Sequence, residues 1–265
     1  MSTAVRTIDL NADMGESYGR WVLGDDAGVM QYVTTVNIAT GFHAGDPTTM
    51  RETVGRAVEL DLCIGGHVAW PDLMGFGRRR MTVPPSDAQN IVLYQLGALD
   101  AFVRAAGGQL GHVKPHGALY VQASTEPELA RALWQAVAEF DDTLPLLLLD
   151  TRFAEQAADD GIKIVGEGFP DLNYDPAGQL IIEPRKLAWD PDLVGSRAVD
   201  MATKGVVVAT DGTPLELSVD SLCIHGDAPN GVDVARVAAA TLTAAGIVLA
   251  TIGRRSRTGR IGVAA

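Results

Sequence analysis

Short apolar runs recur along the chain and are separated by longer segments with a helical pattern. The runs, which predict strands, cover residues 8–12, 33–39, 62–66, 110–115, 144–149, 162–167 and 221–226. The segments between them carry helix start signals, such as Asp46 before Pro47 and Asp190 before Pro191. This alternation predicts an α/β fold with a parallel sheet, and seven strands of this kind favour a single closed (β/α) barrel over an open sheet.

Two segments break the alternation and are predicted to be small β-hairpin insertions on the rim of the barrel. They cover residues 178–184 and 206–219, and the second contains Asp211-Gly212, a pair that favours hairpin turns. The apolar stretch over residues 237–252 contains three threonines and is shorter than a membrane span. We therefore predict that this stretch is a buried helix leading into a strand, and we expect no membrane partner.

Composition supports one globular unit. The chain has 265 residues, of which 47% are hydrophobic and 20% charged, and no proline- or serine-rich linker divides it. We predict one barrel domain over residues 1–253, followed by a flexible arginine-rich tail over residues 254–265. The net charge of −12 repels phosphate backbones, so nucleic acid is not an expected partner.

The cysteines and the N-terminus bear on the compartment. Cys63 and Cys223 lie far apart and outside any CxxC spacing, which argues against a disulfide framework and against a zinc knuckle. We interpret both as buried thiols in a reducing compartment. The first ten residues lack the long apolar run of a signal peptide, so we expect a cytoplasmic protein.

Polar and ionisable residues share one face of three predicted strands, although parallel barrel strands are usually apolar on both faces. The groups spaced by two positions are Asp9, Asn11 and Asp13; His112, Lys114 and His116; and His225 and Asp227. Barrel enzymes place their chemistry at the C-terminal ends of the strands. These positions therefore predict a site at that end of the barrel.

All five histidines follow or end a predicted strand, and none lies within a helical pattern. They are His43, His67, His112, His116 and His225. One such histidine alone would be interpreted as a hydrogen-bonded structural residue, but five at the same kind of place predict a shared pocket. We expect further residues to line the site or to bind a divalent ion, namely Asn11, Glu16, His43, His67, His112 and Asp227. The candidate metal ligands are Asp13, His43, His67 and His225, and the sequence does not decide whether a metal is present.

Other motifs narrow the chemistry. Residues 76–81, FGRRRM, are either a solvated loop or the source of one arginine that reaches for a carboxylate or phosphate. The motifs GxxxxGK[ST], GxGxxG after a strand, and HExxH are absent from the sequence. Their absence disfavours a P-loop ATPase, a Rossmann dehydrogenase and a zincin, but leaves histidine and aspartate as possible metal ligands.

Six segments carry a family resemblance: DLNADMGES (9–17), ATGFHAGDP (39–47), PDLMGFGRRRM (71–81), LYQLGALDAF (93–102), HVKPHGALY (112–120) and CIHGDAP (223–229). In these segments the chain resembles the LamB/YcsF family over residues 8–247. The resemblance implies a seven-stranded barrel of the glycoside hydrolase/deacetylase type. It also implies the role of the A component of 5-oxoprolinase, which opens 5-oxoproline to glutamate with ATP as co-substrate and with partner subunits B and C. Leu172 stands where the family pattern has an arginine.

Opening a lactam needs an anion clamp, a base for water and an acid for the departing nitrogen. We assign Lys114 to the phosphate or oxyanion, Asp13 to the general base, and His116 or His225 to proton donation. Two alternatives remain open at this point. One is a metal-dependent amide or sugar deacetylase-like hydrolase, and the other is a non-catalytic subunit that binds a lactam or a sugar.

Overall fold

The computed structural model describes residues 5–182 and 186–256. Its strands are β1 (Thr7–Met14), β2 (Thr35–Ala39), β3 (Cys63–Val68), β4 (Leu110–Pro115), β5 (Leu146–Leu148), β6 (Ile164–Gly168), β7 (Asn173–Tyr174), β8 (Leu180–Ile181), β9 (Val206–Val208), β10 (Pro214–Glu216), β11 (Ser221–Cys223) and β12 (Val248–Leu249). Its α-helices are α1 (Asp26–Val29), α2 (Pro47–Glu59), α3 (Pro85–Ala105), α4 (Gly117–Thr125), α5 (Pro127–Asp141), α6 (Ala154–Asp159), α7 (Pro191–Lys204) and α8 (Gly231–Ala244).

Seven parallel strands in the described part of the chain close into a barrel. Strands β1 to β6 pair in chain order, β6 pairs with β11, and β11 pairs with β1. The closing register places Asp9 opposite Ser221 and Asn11 opposite Cys223. Strand β12 lies beside the start of β1, where Thr7 is opposite Val248. The predicted seven-stranded α/β barrel is confirmed.

The insertions and helix starts also follow the sequence pattern. Strands β9 and β10 form an antiparallel hairpin within the predicted insertion over residues 206–219. The hairpin of β7 and β8 begins at Asn173, before the predicted insertion over residues 178–184, because the prediction followed the apolar run that forms β8. Residues 183–185 lie outside the described range. The Asp46 carboxylate accepts the Thr48 and Thr49 N–H groups at the start of α2, and Asp190 accepts an N–H group at the start of α7. The apolar stretch over residues 237–252 forms the end of α8 and then β12.

The alternation of side chains along β1 explains how the site is positioned. Ile8 and Leu10 are buried and belong to the apolar core between the strands and the helices. Asp9, Asn11 and Asp13 point the other way and hydrogen bond with side chains of other strands inside the barrel. The barrel interior is therefore polar along its axis.

The C-terminal segment returns to the N-terminal end of the barrel. The backbone of Ser256 bonds to Leu62 and Gln109, and Arg254 pairs with Asp141 across 2.6 Å. Residues 257–265 of the predicted arginine-rich tail lie outside the described residues. Between residues 5 and 256, leaving aside 183–185, no helix is both long and apolar enough to cross a membrane.

Candidate functional site

A cavity of about 290 Å³ opens at the C-terminal end of the barrel strands. The sequence-predicted residues that line it are Asp13, Glu16, His67, Lys114, His116, His225 and Asp227. His43 contacts this set from one side, whereas Asn11 and His112 lie deeper in the barrel. The volume matches the lower end of the range for small-molecule sites.

Lys114, on β4, places a buried ammonium at the base of the cavity. Its Nζ lies 3.1 Å from Asp13 Oδ1, 2.9 Å from Glu167 Oε1 and 3.1 Å from Cys223 Sγ. Burial lowers the pKa of Lys114, but the nearby acidic groups, with Asp13 foremost, outweigh burial and hold that pKa well above its ordinary value. Lys114 is therefore a permanent cation that faces two carboxylates.

Asp13, at the end of β1, is held by three neighbours. Lys114 donates to its Oδ1, Asn37 Nδ2 donates to the same oxygen at 2.8 Å, and His67 Nε2 lies 3.3 Å from Oδ2. Burial raises the pKa of Asp13, but the charges of His67 and Lys114 outweigh burial and hold it well below its ordinary value. Asp13 is thus an ionised group whose hydrogen-bonding positions are largely filled.

Three histidines and a glutamate form one compact cluster beside the cavity. Glu16 Oε1 lies 3.1 Å from His43 Nε2, 3.5 Å from His116 Nδ1 and 3.9 Å from His67 Nε2. The rings of His43 and His116 stack with centroids 3.8 Å apart. Gly77 has a φ of +64° and a Cβ there would lie 2.9 Å from both of these side chains, so a glycine lets the loop after β3 close over the cluster.

His225, which follows β11, is oriented by an acid that the sequence pattern did not reveal. Asp171 accepts the His225 backbone N–H at 2.7 Å and faces His225 Nδ1 at 3.1 Å. Within the described ranges Nε2 of His225 has no hydrogen bond, and the residue lines the cavity. Asp227, two residues further on, pairs with Lys186 at 2.6 Å.

Below the cavity, a polar layer fills the middle of the barrel. Asn11 donates to Glu167 at 2.8 Å and accepts from Asn37 at 2.7 Å, and Tyr120 donates to Glu167 at 2.8 Å. His112 Nε2 donates to Asn37 Oδ1 at 2.6 Å. Burial and the nearby Lys114 charge lower the pKa of His112 to about 3, so this histidine is neutral and structural in its contacts.

Among residues 5–182 and 186–256, two groups of side chains have donor atoms close enough together to hold a metal ion. The first contains Glu16, His43, His67 and His116, and the second contains Asp13, Cys223 and His225. Nitrogen and carboxylate donors of this kind suit zinc and related divalent ions.

A model of the LamB/YcsF family matches residues 8–257, which is nearly the whole chain. The chain belongs to the LamB/YcsF family. Similar proteins include the A component of the 5-oxoprolinase of Thermococcus onnurineus, 44% identical over 93% of this chain and 98% of that protein. The corresponding 5-oxoprolinase component of Methylococcus capsulatus is 46% identical over 94% of this chain and 96% of that protein.

The crystal structure of a lactam utilization protein from Thermus thermophilus shows the same architecture as this LamB/YcsF chain. The two are 42% identical and superpose with a TM-score of 0.83, over 92% of this chain and 98% of the other. The LamB/YcsF fold inferred from the sequence motifs is therefore shared with an experimental structure.

Sequence reasoning missed two acids in this LamB/YcsF site. Glu167 is fully buried in β6, and its signal was an acidic residue at the C-terminal end of a predicted barrel strand. Asp171 lies in the loop after β6, and no periodic pattern marked it. Leu172, the departure from the family pattern, lines the cavity, while the Arg197 guanidinium reaches the Leu172 carbonyl oxygen at 2.5 Å.

Proposed function

We propose that this protein acts as the A component of an ATP-dependent 5-oxoprolinase, which opens the lactam 5-oxo-L-proline to L-glutamate. ATP is the co-substrate, subunits B and C are the partners, and the reducing cytoplasm is the compartment. Relatives about 45% identical carry the name of this 5-oxoprolinase component, which supports the choice of substrate. The observation that carries the proposal is the Lys114 ammonium at the base of a small-molecule cavity.

The reaction joins phosphoryl transfer to hydrolysis of an amide. The lactam carbonyl oxygen takes the γ-phosphoryl group of ATP and ADP leaves. Water then adds to the carbonyl carbon, and the C–N bond breaks as the nitrogen takes a proton, which gives γ-glutamyl phosphate. A second water hydrolyses this acyl phosphate to glutamate and phosphate. Negative charge develops on oxygen during these steps, and a fixed buried cation stabilises such charge strongly. Lys114 supplies this cation without needing to change its protonation state.

Arg78 is suited to hold the substrate carboxylate. Of the three consecutive arginines after β3, Arg79 pairs with Asp72 and Arg80 pairs with Glu126. Arg78 lines the cavity, lies over the Phe76 ring at 5.1 Å, and has no carboxylate partner among residues 5–182 and 186–256. A free guanidinium can bind a carboxylate through two parallel hydrogen bonds.

Proton transfer is assigned to His225 rather than to Asp13, which the sequence had suggested as the base. A carboxylate with a strongly depressed pKa is a weak base, and Asp13 already holds Lys114 and His67. The hydrogen bond from Nδ1 to Asp171 fixes the tautomer of His225 and leaves Nε2 to take a proton from water and return it to the leaving nitrogen. Asp171 is then a positioning residue.

The test is reconstitution of ATP-dependent glutamate formation from 5-oxoproline with subunits B and C. The chain alone should show little turnover, because its sequence contains no phosphate-cradling glycine loop. Lys114→Met should lower the reconstituted kcat by about 100-fold or more. Lys163→Met, a change of the same kind at an exposed position, is the matched control and should retain activity.

Because Lys114→Met leaves two buried carboxylates without their cation, that variant is expected to be less stable. Arg78→Gln provides an independent test at an exposed position, and it should raise KM for 5-oxoproline by about tenfold or more. Reconstituted activity within a few-fold of wild type in both variants would refute the assignment.

The histidine cluster favours a second candidate, a metal-dependent amide or sugar deacetylase-like hydrolase. This activity would need no ATP. Release of acetate from an N-acetylated sugar by the chain alone, without nucleotide or partners, would support the second candidate against the first.

A further inference from the structure

We propose that Glu16, His43, His67 and His116 form a binding site for one divalent transition-metal ion of the zinc type. The four side chains come from the segments that follow or end β1, β2, β3 and β4, so four neighbouring strands converge on one point. This chain alone supplies all four ligands, so the ion binds without the substrate, ATP or partner subunits.

The hydrogen bonds of two rings define which nitrogens carry protons. His67 Nδ1 lies 3.2 Å from the Lys114 carbonyl oxygen, and His116 Nε2 lies 2.9 Å from the Phe76 carbonyl oxygen. A carbonyl oxygen only accepts hydrogen bonds, so these two nitrogens are the donors. Backbone carbonyl partners of this kind orient histidines that ligate metals through their other nitrogen.

The two remaining nitrogens face each other, and this contact is favourable only with a positive ion between them, either a proton on His67 or a metal ion bound by both nitrogens. His67 Nε2 and His116 Nδ1 are 2.9 Å apart, and in neutral rings both carry lone pairs. Two lone pairs at this distance repel, and a cation bound by both nitrogens removes the repulsion. The arrangement is that of two ligands that share one ion.

Glu16 and His43 complete a set of four donor atoms whose spacing suits a zinc ion. Zinc bound tetrahedrally at 2.0–2.1 Å from each ligand separates its ligand atoms by about 3.3 Å. The distances from Glu16 Oε1 to the three imidazole nitrogens, 3.1, 3.5 and 3.9 Å, bracket this value. His43 is buried, and its Nε2 faces the same Glu16 oxygen, so this nitrogen belongs to the donor set.

Charge and access to the cavity favour the histidine cluster as the metal site over the group of Asp13, Cys223 and His225. In the group of Asp13, Cys223 and His225, the Lys114 ammonium lies 3.1 Å from both Asp13 and Cys223, and this cation opposes a second one. The histidine cluster instead has the Asp13 carboxylate 3.3 Å from His67 as a further negative neighbour. Glu16, His67 and His116 line the cavity, so a bound ion would act there as a Lewis acid toward a carbonyl or phosphoryl oxygen.

The experiment uses the full chain after removal of metal with a chelator, with Co²⁺ and then Zn²⁺ as the probes. We expect one Co²⁺ per chain with the intense visible bands of a four-coordinate site, displacement by one Zn²⁺ in calorimetry, and a higher melting temperature with Zn²⁺. His116→Gln and His43→Gln should each weaken binding by at least about 100-fold.

His225→Gln is the matched control, because His225 lines the same cavity but lies outside the proposed ligand set. It should retain Co²⁺ affinity within a few-fold. Loss of binding in His225→Gln but not in His43→Gln would assign the ion to the other group and overturn the proposal. Absence of a four-coordinate Co²⁺ spectrum in the wild-type chain would also overturn it, whether or not the variants fold.

Discussion

The buried carboxyl of Asp9 should make the stability of the protein fall as the pH rises. Asp9 lies at the N-terminal end of the barrel interior, where hydroxyl groups of Thr34, Thr35 and Ser221 donate to it. Burial raises its pKa from 3.8 to about 6, although these three hydrogen bonds lower it in part. The perturbation is Asp9→Asn, which keeps the shape of the side chain and removes its titration.

The magnitude follows from the two pKa values. Between pH 3.8 and about 6 the unfolded chain loses the Asp9 proton while the folded chain keeps it, so stability is lost as the pH rises through this window. A difference of about two pKa units corresponds to about 3 kcal/mol in total. About 1.4 kcal/mol of this loss falls between pH 5 and pH 8.

The assay is urea unfolding of wild type and Asp9→Asn at several pH values from 5 to 8. A constant offset between the two proteins reports altered hydrogen bonds, whereas the pH-dependent part of the difference reports the titration of Asp9. Between pH 5 and pH 8 we expect the free energy of unfolding of Asp9→Asn to rise by about 1.4 kcal/mol relative to that of wild type. Asp233→Asn, at an exposed site on α8, controls for loss of one negative charge. A difference that stays constant across the range would refute the reasoning.

Three further predictions concern packing, capping and thiol reactivity. Gly65→Ala should lower the free energy of unfolding in urea by at least about 3 kcal/mol, because the added Cβ would lie 2.0 Å from His112 Nε2. Gly97→Ala on α3, where the added Cβ meets open space, should instead raise the free energy of unfolding by about 0.5–1 kcal/mol. Asp46→Ala should lower the free energy of unfolding by about 1 kcal/mol, because it removes the N-terminal cap of α2. An unchanged midpoint of urea unfolding would contradict this capping role. Burial raises the pKa of Cys63 to about 12, so its thiol should react with Ellman's reagent only after denaturation, and prompt labelling of the native chain would contradict its burial.

The sequence was sufficient for the barrel because each strand is a local apolar run. Residues 144–149 and 162–167, for example, carry most of the information needed to identify β5 and β6. The closure of the sheet into a barrel was harder to predict from the sequence. It rests on the pairing of Ser221 with Asp9, which no local pattern reveals, and it was inferred only from the number of strands.

For the candidate site, periodicity located residues on strands better than residues in loops. The period of two placed Asp13 and Lys114 on inward faces, and the structure brings them within 3.1 Å of each other. It gave no means of finding Asp171, because the path of the loop after β6 depends on packing against the rest of the barrel. It also did not distinguish His112, which contacts Asn37 inside the barrel, from the histidines that reach the cavity.

The pairing of β1 with β11 and β12 constrains when the chain can fold. Asp9 and Ser221 are 212 positions apart, so a ribosome adding about 5–20 residues per second needs about 10–40 s to supply the strand that closes the barrel. During that interval the inward side chains of β1 lack their contacts with β11. Strand pairing between segments so far apart in the sequence is also slow to form. The nascent chain therefore depends on its last strands for a native interior, and a product truncated before residue 221 has an open sheet edge available to other chains.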